Sequence, residues 1–402
     1  MLFFVVMLIT GLAFSEEISL KEALRLLRER NYDVKIAQYE VKKAEGSYIQ
    51  AGFLQNPSLS INYTGMNFSG NTLVYDTSNT LLSIRIDQPI ELGEKRQYRK
   101  LSAFYQLKAT EYSRDNLLRD IALQFISIYF QALSDRVYLE YLKEDFKEYE
   151  KILNIQRQKQ NLGFLSLIDL MKLELYKTEL ENAIRQAEAN YKKDVKELSF
   201  YLSGDYEPAH IKEVAEDLDL ANLIHSALEN RESLKALREQ IKSIDYQIKL
   251  LRAYSVPDVV IGFEYDAFGV KYKPGMGVGL SINLPVFDRR QGDLITALST
   301  KEQTLTAMKK EEESIRKEIT QAFYDYEASK RVYASYLENK KRMDELIDRT
   351  RRAYLLGGIS TLDYLDTLRT YRAFINTFLQ AKHQYLQNYY RLKLLSGGWY
   401  EN

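Results

Sequence analysis

The chain has 402 residues, and its 56 Lys and Arg balance 56 Asp and Glu, so its formal net charge is zero. A balanced charge gives no support for nucleic-acid binding, which requires a basic surface. Because the sequence has no cysteine, disulfides, thiolate metal sites and a cysteine nucleophile are all excluded.

The first fifteen residues form an apolar run that ends in Ala13-Phe14-Ser15. Its length and its small-residue ending predict a secretory signal peptide over residues 1–15, cleaved before Glu16. A transmembrane helix needs about 20 apolar residues, so this run is too short to span a membrane. A buried N-terminal strand or helix is the alternative interpretation of the same residues.

An internal repeat follows the signal peptide. From Ser19 to about Leu54, apolar residues recur with the three-four spacing that is typical of a coiled-coil seam. The same seam returns 200 residues later, where Pro57 aligns with Pro257 without a gap. This repetition predicts two tandem repeats, over about 16–205 and 218–396, joined by a connector and followed by a tail. The connector covers 206–217, and the tail covers 397–402.

Each repeat contains two segments in which apolar and polar residues alternate strictly. Such alternation predicts β-strands with one apolar face, here near residues 58–68, 80–89, 257–267 and 276–287. The polar faces carry four charged residues that are candidates for lining a pore: Arg85, Asp87, Glu264 and Asp266. The alternative is that these residues simply face solvent on a soluble sheet.

A very long heptad pattern follows the strands in each repeat, from about Glu94 to Asn161 and from about Gln291 to Leu356. Uncapped heptads of this length predict long antiparallel coiled-coil helices. Both helices end at glycine turns, and the serines that follow suit the N-caps of the returning helices.

Four strands are too few to close a barrel, for which about eight is the usual minimum. An open sheet with an apolar outer face would be an exposed edge in water and is not tolerated in lipid. Assembly of three copies resolves the problem, because each copy adds four strands to one barrel. The predicted fold class is therefore mainly α with a small β-barrel part. Long antiparallel coiled-coil helices would form an α-barrel, and the strands would contribute to a trimeric 12-stranded transmembrane β-barrel.

The order of elements resembles TolC-type outer-membrane efflux proteins over about residues 16–396. The resemblance rests on the duplicated helix-strand-strand-helix order, the Asn56-Pro57 entry to the first strand and the exit from the last strand at Leu284 to Phe287. The segment from Gly357 to Asp366 adds to it. The resemblance implies a homotrimer in the cell outer membrane that contacts lipid there and extends into the periplasm. It also implies two partners, a periplasmic adaptor and an inner-membrane transporter.

The resemblance further implies a periplasmic gate at the glycine turns. The acidic ring of the family would correspond to Asp363 and Asp366, which lie three residues apart and therefore share one helix face. Three copies would place six carboxylates around one axis, an arrangement that favours cations. The alternative is that both aspartates are ordinary acids at a helix N-terminus.

A closing latch in this family would join Tyr354 and Asp169. The arginine that completes the latch in some members is absent, because Ile359 or Ser360 stands at that position. Arg351 or Arg352 are the candidates to replace it.

The same turns are where the resemblance places docking of the adaptor. The candidate docking residues are Gly163, Leu165, Ser166, Gly357, Gly358, Ile359 and Ser360. The alternative for the apolar ones is an internal hydrophobic staple of the hairpin.

The sequence thus predicts a passive exit duct of a tripartite efflux or export system. A heavy-metal cation efflux duct is a narrower alternative, because the run Gln88 to Arg96 resembles members attached to heavy-metal pumps. A coiled-coil rod without a pore is the other alternative. The sequence has no nucleotide-binding loop, catalytic motif or metal-ligand spacing, so no enzyme activity, metal, cofactor or nucleic-acid partner is predicted.

Overall fold

The computed structural model describes residues 16–69, 71–75, 80–211, 216, 218–268 and 273–398. The predicted signal peptide lies outside these residues, as do most of the second half of the connector and the last four residues of the tail. The chain divides into two compact units. Unit 1 contains the described parts of 1–37, 115–231 and 313–402, and unit 2 contains those of 38–114 and 232–312.

The two repeats have similar orders of elements. The first repeat runs β1 (Glu16–Ile18), α1 (Leu20–Arg30), α2 (Tyr32–Ala51), β2 (Ser58–Thr64), β3 (Met66–Ser69), β4 (Thr72–Tyr75), β5 (Leu81–Ile90), α3 (Lys95–Asn161) and α4 (Leu167–Leu202). The connector contains β6 (Tyr206–Pro208). The second repeat runs α5 (Leu220–Asn230), α6 (Glu232–Ala253), β7 (Val259–Phe268), β8 (Gly275–Ile282), α7 (Gln291–Leu355) and α8 (Thr361–Leu395). None of the described helices combines the length and the hydropathy needed to cross a membrane. The mainly helical fold with a small antiparallel sheet is confirmed.

Unit 2 contains a four-stranded antiparallel sheet of order β2-β5-β7-β8. Its two faces differ as the alternation predicts. One row across the apolar face consists of Ile61, Ile84, Tyr265 and Met276. One row across the polar face consists of Ser60, Arg85, Glu264 and Gly277. Much of the apolar face is exposed in the single chain, including Leu59, Ile61, Val278 and Leu280.

Two strand ends differ from the sequence prediction. β2 ends at Thr64 rather than near residue 68, and Gly65 separates it from β3, which begins at Met66. A Cβ at Gly65 would lie 2.6 Å from the Thr80 Cγ2 atom. β8 ends at Ile282 rather than near residue 287, and Pro285 in the following linker cannot donate to a ladder.

The connector in unit 1 is held by a two-stranded parallel sheet of β1 and β6. The hydroxyl of the buried Tyr129 lies 2.9 Å from the carbonyl oxygen of Ile18 and 3.0 Å from that of Ala209. Arg136 donates to the Pro208 carbonyl at 3.0 Å. These contacts from α3 hold the start of the first repeat beside the connector.

The glycine-turn end of unit 1 has its own hydrophobic core. Buried side chains of α3, α4, α7 and α8 form it, among them Tyr149, Leu173, Tyr354 and Leu365. Tyr149 and Tyr176 pack with ring centroids 4.9 Å apart, and the Tyr149 hydroxyl donates to the Leu173 carbonyl at 2.7 Å. This core supports both turns from behind.

Candidate functional site

The first turn is a short, locally capped connection between α3 and α4. Gly163 adopts a positive φ of 79°, which glycine allows without a Cβ clash. The Phe164 amide donates to the Lys159 carbonyl at 2.8 Å, so the last turn of α3 is closed in the manner of a Schellman motif. The Ser166 hydroxyl accepts from the Asp169 amide at 3.0 Å and donates to the Asp169 carboxylate at 2.7 Å.

The second turn, between α7 and α8, repeats this geometry. Gly357 has the same φ of 79°, and the Gly358 amide donates to the Ala353 carbonyl at 2.8 Å. The Ser360 hydroxyl accepts from the Asp363 amide at 3.1 Å and donates to the Asp363 carboxylate at 2.6 Å. Both turns therefore place an aspartate at the positive end of a returning helix.

The two turns differ in what surrounds their aspartates. The Lys172 ammonium lies 3.3 Å from Asp169, and the Ser166 hydrogen bond, assisted by Lys172, holds the pKa of that carboxyl below its usual range. Asp363 and Asp366 are both exposed. Arg369, one turn further along α8, is committed to a bidentate pair with Glu179. Within the described part of the chain, neither Asp363 nor Asp366 forms a salt bridge.

The latch residues Tyr354 and Asp169 are brought close to one another through a third residue. Tyr354 is buried and stacks on Tyr364 with ring centroids 4.2 Å apart, and burial raises the pKa of its hydroxyl. That hydroxyl lies 3.2 Å from the Thr361 Oγ1 atom. The Thr361 side chain also contributes to lowering the pKa of the Asp169 carboxyl, so it lies near that group. Thr361 was missed in the sequence, although a hydroxyl residue at the first position of a helix is the available signal.

Neither candidate for the missing latch arginine pairs with the latch in the described structure. Arg351 donates from α7 to Asp145 on α3 at 3.1 Å, and Asp145 is buried. Burial raises the pKa of Asp145, and Arg351 and Arg372 oppose that rise. Arg352 pairs with Asp348 on its own helix. Arg351 thus ties α7 to α3, whereas Arg352 stays on the surface of α7.

The candidate docking residues divide into buried and exposed groups. Leu165 and Ile359 are partly buried and pack against the core of the turns, which is the staple arrangement. The neighbouring apolar side chains point outward instead: Phe164 is 80% exposed and Leu356 is 87% exposed. Leu162 and Leu362 are exposed as well. The sequence pattern did not single out these four residues, because periodicity does not show which side of a turn faces solvent.

The four charged residues of the strands lie on one face of the sheet in unit 2. The Arg85 guanidinium lies 2.9 Å from Asp87 and 3.6 Å from Glu264, and Ser83 donates to Glu264 at 2.6 Å. Asp266 lies opposite Ser83 on the next strand. The Arg85 guanidinium lies over Gly262, where a Cβ would come within 2.8 Å of its Nη2 atom. Because Gly262 has no side chain, the charged group can lie close to the backbone of the sheet.

The fold and the turns match a known family. The family model described as outer membrane efflux protein matches residues 23–203 and 223–398, once in each repeat. The chain belongs to the outer membrane efflux protein family. It is accordingly an outer-membrane efflux channel protein that extends into the periplasm. The resemblance to TolC-type proteins is confirmed.

Individual relatives are distant but nearly full-length. The cobalt-zinc-cadmium resistance protein CzcC of Cupriavidus metallidurans is 24% identical over 383 residues, which cover 92% of this chain and 86% of CzcC. The probable efflux pump outer membrane protein TtgC of Pseudomonas putida is 24% identical over 398 residues, covering 92% of this chain and 79% of TtgC. The Campylobacter jejuni CmeC outer membrane channel superposes with a TM-score of 0.75 at 14% identity, over 94% of this chain and 85% of CmeC.

Proposed function

We propose that this protein is the passive exit duct of a tripartite efflux system, working as a homotrimer with a periplasmic adaptor and an inner-membrane transporter. Its gate would lie at the second glycine turn. The observation that carries the gate is the pair of exposed carboxylates, Asp363 and Asp366, which form no salt bridge in the described chain, although the charge of Arg369 acts on Asp366. Exposed carboxylates that form no salt bridge are available to attract cations at the entrance of a pore.

The polar face of the sheet supports a lumen with the same preference. Arg85 is matched by Asp87 and Glu264, and Asp266 adds another carboxylate on the same face. Each copy would therefore present an excess of negative charge to the inside of a barrel. Such a lumen favours cations in the same direction as the gate.

The latch in this proposal consists of Tyr354, Thr361 and Asp169. A closed gate needs contacts that hold the second turn against the first, and the Thr361 side chain contacts the Tyr354 hydroxyl and acts on the pKa of Asp169. The duct has no energy source of its own, so opening must come from partner binding that favours the open state.

The adaptor would contact the outward-facing apolar residues of the turns. Phe164, Leu356, Leu162 and Leu362 are large apolar side chains that the described chain leaves exposed. An exposed apolar cluster at the end of a protein is typical of an interaction site. In this proposal Leu165 and Ile359 shape the turns from inside, while Gly163, Ser166, Gly357, Gly358 and Ser360 set the backbone that presents the cluster.

The apolar face of the sheet argues against the rod without a pore. Leu59, Ile61, Val278 and Leu280 are exposed on one face of an open sheet, which would promote aggregation in water. In a barrel that crosses the outer membrane, the same face would contact lipid.

Heavy-metal cations are the narrower cargo proposal, because at the same 24% identity the chain matches 86% of the length of CzcC and 79% of the length of TtgC. The run Gln88 to Arg96 supports a heavy-metal cargo less than the sequence alone suggested. Its charged side chains form ion pairs at the junction between the sheet and α3. Glu91 pairs with Arg99 at 2.6 Å, and Lys95 pairs with Asp258 at 2.7 Å. A deletion strain tests the cargo class. Loss of growth in the presence of cobalt, zinc or cadmium would indicate metal cargo, and loss of growth in the presence of toluene or antibiotics would indicate organic cargo.

The gate is tested by single-channel recording on the detergent-purified protein, with its oligomer mass measured on the same sample. Trimers with small, cation-selective conductance that divalent cations block are expected. Replacing both aspartates, Asp363→Asn with Asp366→Asn, removes six carboxylates from a trimer and should weaken divalent block at least tenfold. Glu338→Gln, which removes an exposed carboxylate elsewhere on α7, is the matched control and should leave block unchanged. Unchanged block in the double variant would contradict the gate, and a monomer without conductance would contradict the duct.

A further inference from the structure

Lys159 lies in the last turn of α3 and forms hydrogen bonds at both glycine turns. Its backbone carbonyl accepts from the Phe164 amide at 2.8 Å, which closes the first turn. Its ammonium donates to the carbonyl of Leu355 at the end of α7, at 2.7 Å, although 196 residues separate the two. Lys159 and Leu355 are both partly buried. One side chain of the first hairpin (α3 and α4) therefore contacts the end of a helix of the second hairpin (α7 and α8).

The acceptor of this bond is a carbonyl at the C-terminus of a helix. The last four carbonyls of an α-helix have no partner within the helix itself. In the second turn, the amides of the two glycines donate to the carbonyls of Tyr354 and Ala353, at 3.1 and 2.8 Å. The Leu355 carbonyl accepts from the Lys159 ammonium instead. The partial negative charge at a helix C-terminus favours a cation at this place.

The duplication does not account for this lysine. When Gly163 is aligned with Gly357, Lys159 corresponds to Ala353 and Leu355 corresponds to Asn161. Alanine has no side-chain donor, so the second hairpin has no equivalent group with which to return the contact. The bond therefore runs in one direction, from the first hairpin to the end of α7.

The Lys159 bond joins different elements from those that the latch tyrosine joins. The Tyr354 hydroxyl lies 3.2 Å from the Thr361 Oγ1 atom, and the Tyr354 ring stacks on Tyr364. Both contacts connect α7 to α8 within the second hairpin. The bond from Lys159 connects α7 to α3, at the residue that follows Tyr354. A gate that closes by holding the second turn against the first needs a connection of this second kind.

The two arginines that were candidates for the missing latch cation bind elsewhere. Arg351 donates to Asp145, and Arg352 pairs with Asp348 on its own helix. The ordinary role of a lysine in the last turn of a helix is to bind the carbonyls of that same helix or to extend into solvent. The ammonium of Lys159 instead lies on the end of a different helix, which is the place where a cation between the two turns is expected.

We propose that Lys159 is a positioning residue of the gate, which holds the end of α7 against α3 in the closed state in place of the absent latch arginine. This inference rests on the gate proposed above and adds a residue to it. Because the acceptor is a backbone carbonyl, the bond reports the position of α7 itself: a shift of the helix end by about 1 Å away from α3 would lengthen it beyond hydrogen-bond distance. Hydrogen bonds from a charged donor are stronger than neutral ones, and a trimer would contain three of them.

Single-channel recording on the purified trimer, without any partner protein, tests the role of this lysine. Lys159→Met removes the ammonium and retains an unbranched apolar stem. The fraction of time spent in a high-conductance state should rise about tenfold, because a charged hydrogen bond present only in the closed state shifts the equilibrium by at least about this factor. Lys159→Arg keeps a positive charge and donors, so it should open far less often than the methionine variant. Lys159→Gln also removes the charge and should show the same rise, which keeps the test available if methionine impairs folding.

The matched control is Lys151→Met, which removes an exposed lysine of the same helix that pairs with Glu148. It should leave the open fraction unchanged. A merely structural role of Lys159 would lower the melting temperature of the trimer without changing the open fraction of the trimers that remain, and this result would overturn the proposal. Equal rises in the Lys159→Met and Lys151→Met channels would overturn it too, as would an arginine variant that opens as often as the methionine variant.

The gate itself is judged by a different measurement. If divalent block is lost in the variant carrying Asp363→Asn and Asp366→Asn while Lys159→Met leaves the open fraction unchanged, the gate stands and the role of Lys159 falls. If the block persists in that double variant, the acidic gate falls, and the inference about Lys159 falls with it.

Discussion

The two glycine turns have the same backbone and the same caps, yet their surroundings differ. In each turn, a glycine with a φ of 79° ends the long helix. A serine then caps the returning helix, and its hydroxyl donates to the aspartate three residues later. Lys172 follows Asp169 by three residues in the first turn, whereas Asp366 follows Asp363 in the second. The first turn therefore carries an acid that forms a salt bridge, and the second carries two acids that form none in the described chain.

The difference shows which parts of a duplicated unit can diverge. The hydrogen bonds of a turn depend on a few residues close in sequence, and losing one costs stability directly. Changing the sign of an exposed charge alters the stability little, so such a charge can differ between the two repeats. The contacts behind the turns also differ: Tyr354 before the second turn is buried and stacked, while the residue at the corresponding place, Gln160, is only partly buried.

The largest expected difference is between two ion pairs behind the turns, one buried between α3 and α7 and one exposed between α3 and α4. Asp145 is buried and holds Arg351, so Asp145→Asn would leave the guanidinium without its charge partner and should cost about 2–3 kcal/mol. The pair of Arg157 with Glu174 is exposed, so Glu174→Gln should cost less than about 1 kcal/mol. Thermal unfolding followed by circular dichroism measures both. Equal losses would show that Arg351 is not a tie between α7 and α3.

The second largest expected effect concerns the returning helices α4 and α8, because α8 has a buried histidine. His383 is buried on α8, and burial lowers its pKa from 6.5 to about 4, while the corresponding residue of α4 is the exposed Ala189. The folded state thus favours the neutral imidazole. The stabilisation is complete above pH 6.5 and is lost as the pH falls towards 4, a change of about 3 kcal/mol.

The measurement for this prediction is the melting temperature between pH 7.5 and pH 4. His383→Phe, which keeps an aromatic ring without a titratable group, should flatten the decline across that range. His225→Asn changes an exposed histidine and serves as the control, which should keep the decline of the unsubstituted protein. A decline that survives His383→Phe would contradict the assignment to His383.

The smallest expected effects test how alike the two turns are. Ser166→Ala and Ser360→Ala each remove an N-cap hydroxyl, and each should cost about 1 kcal/mol. Since the two caps have matching hydrogen bonds, the two losses should agree within about 0.5 kcal/mol. A clearly larger loss for Ser166→Ala would show that the contact of Asp169 with Thr361 depends on that cap.

The sequence by itself determined the elements whose signals are local. Heptads predicted the long helices, alternation predicted the two faces of the sheet, and glycine followed by serine predicted both turns with their caps. These features depend on neighbours within a few residues or on a strict period, so a linear pattern contains them. The family was also within reach, because the duplicated order of elements is a property of the sequence alone.

Only the tertiary structure decided which long-range partners the side chains have. Arg351 on α7 donates to Asp145, which lies 206 residues away on α3, and Thr361 on α8 acts on the pKa of Asp169 on α4. Leu165 packs inward while Phe164 points outward, a choice that depends on the core behind the turn. Pairing between distant residues is set by how helices pack against each other, and a pattern along one helix does not record the face that its neighbour presents.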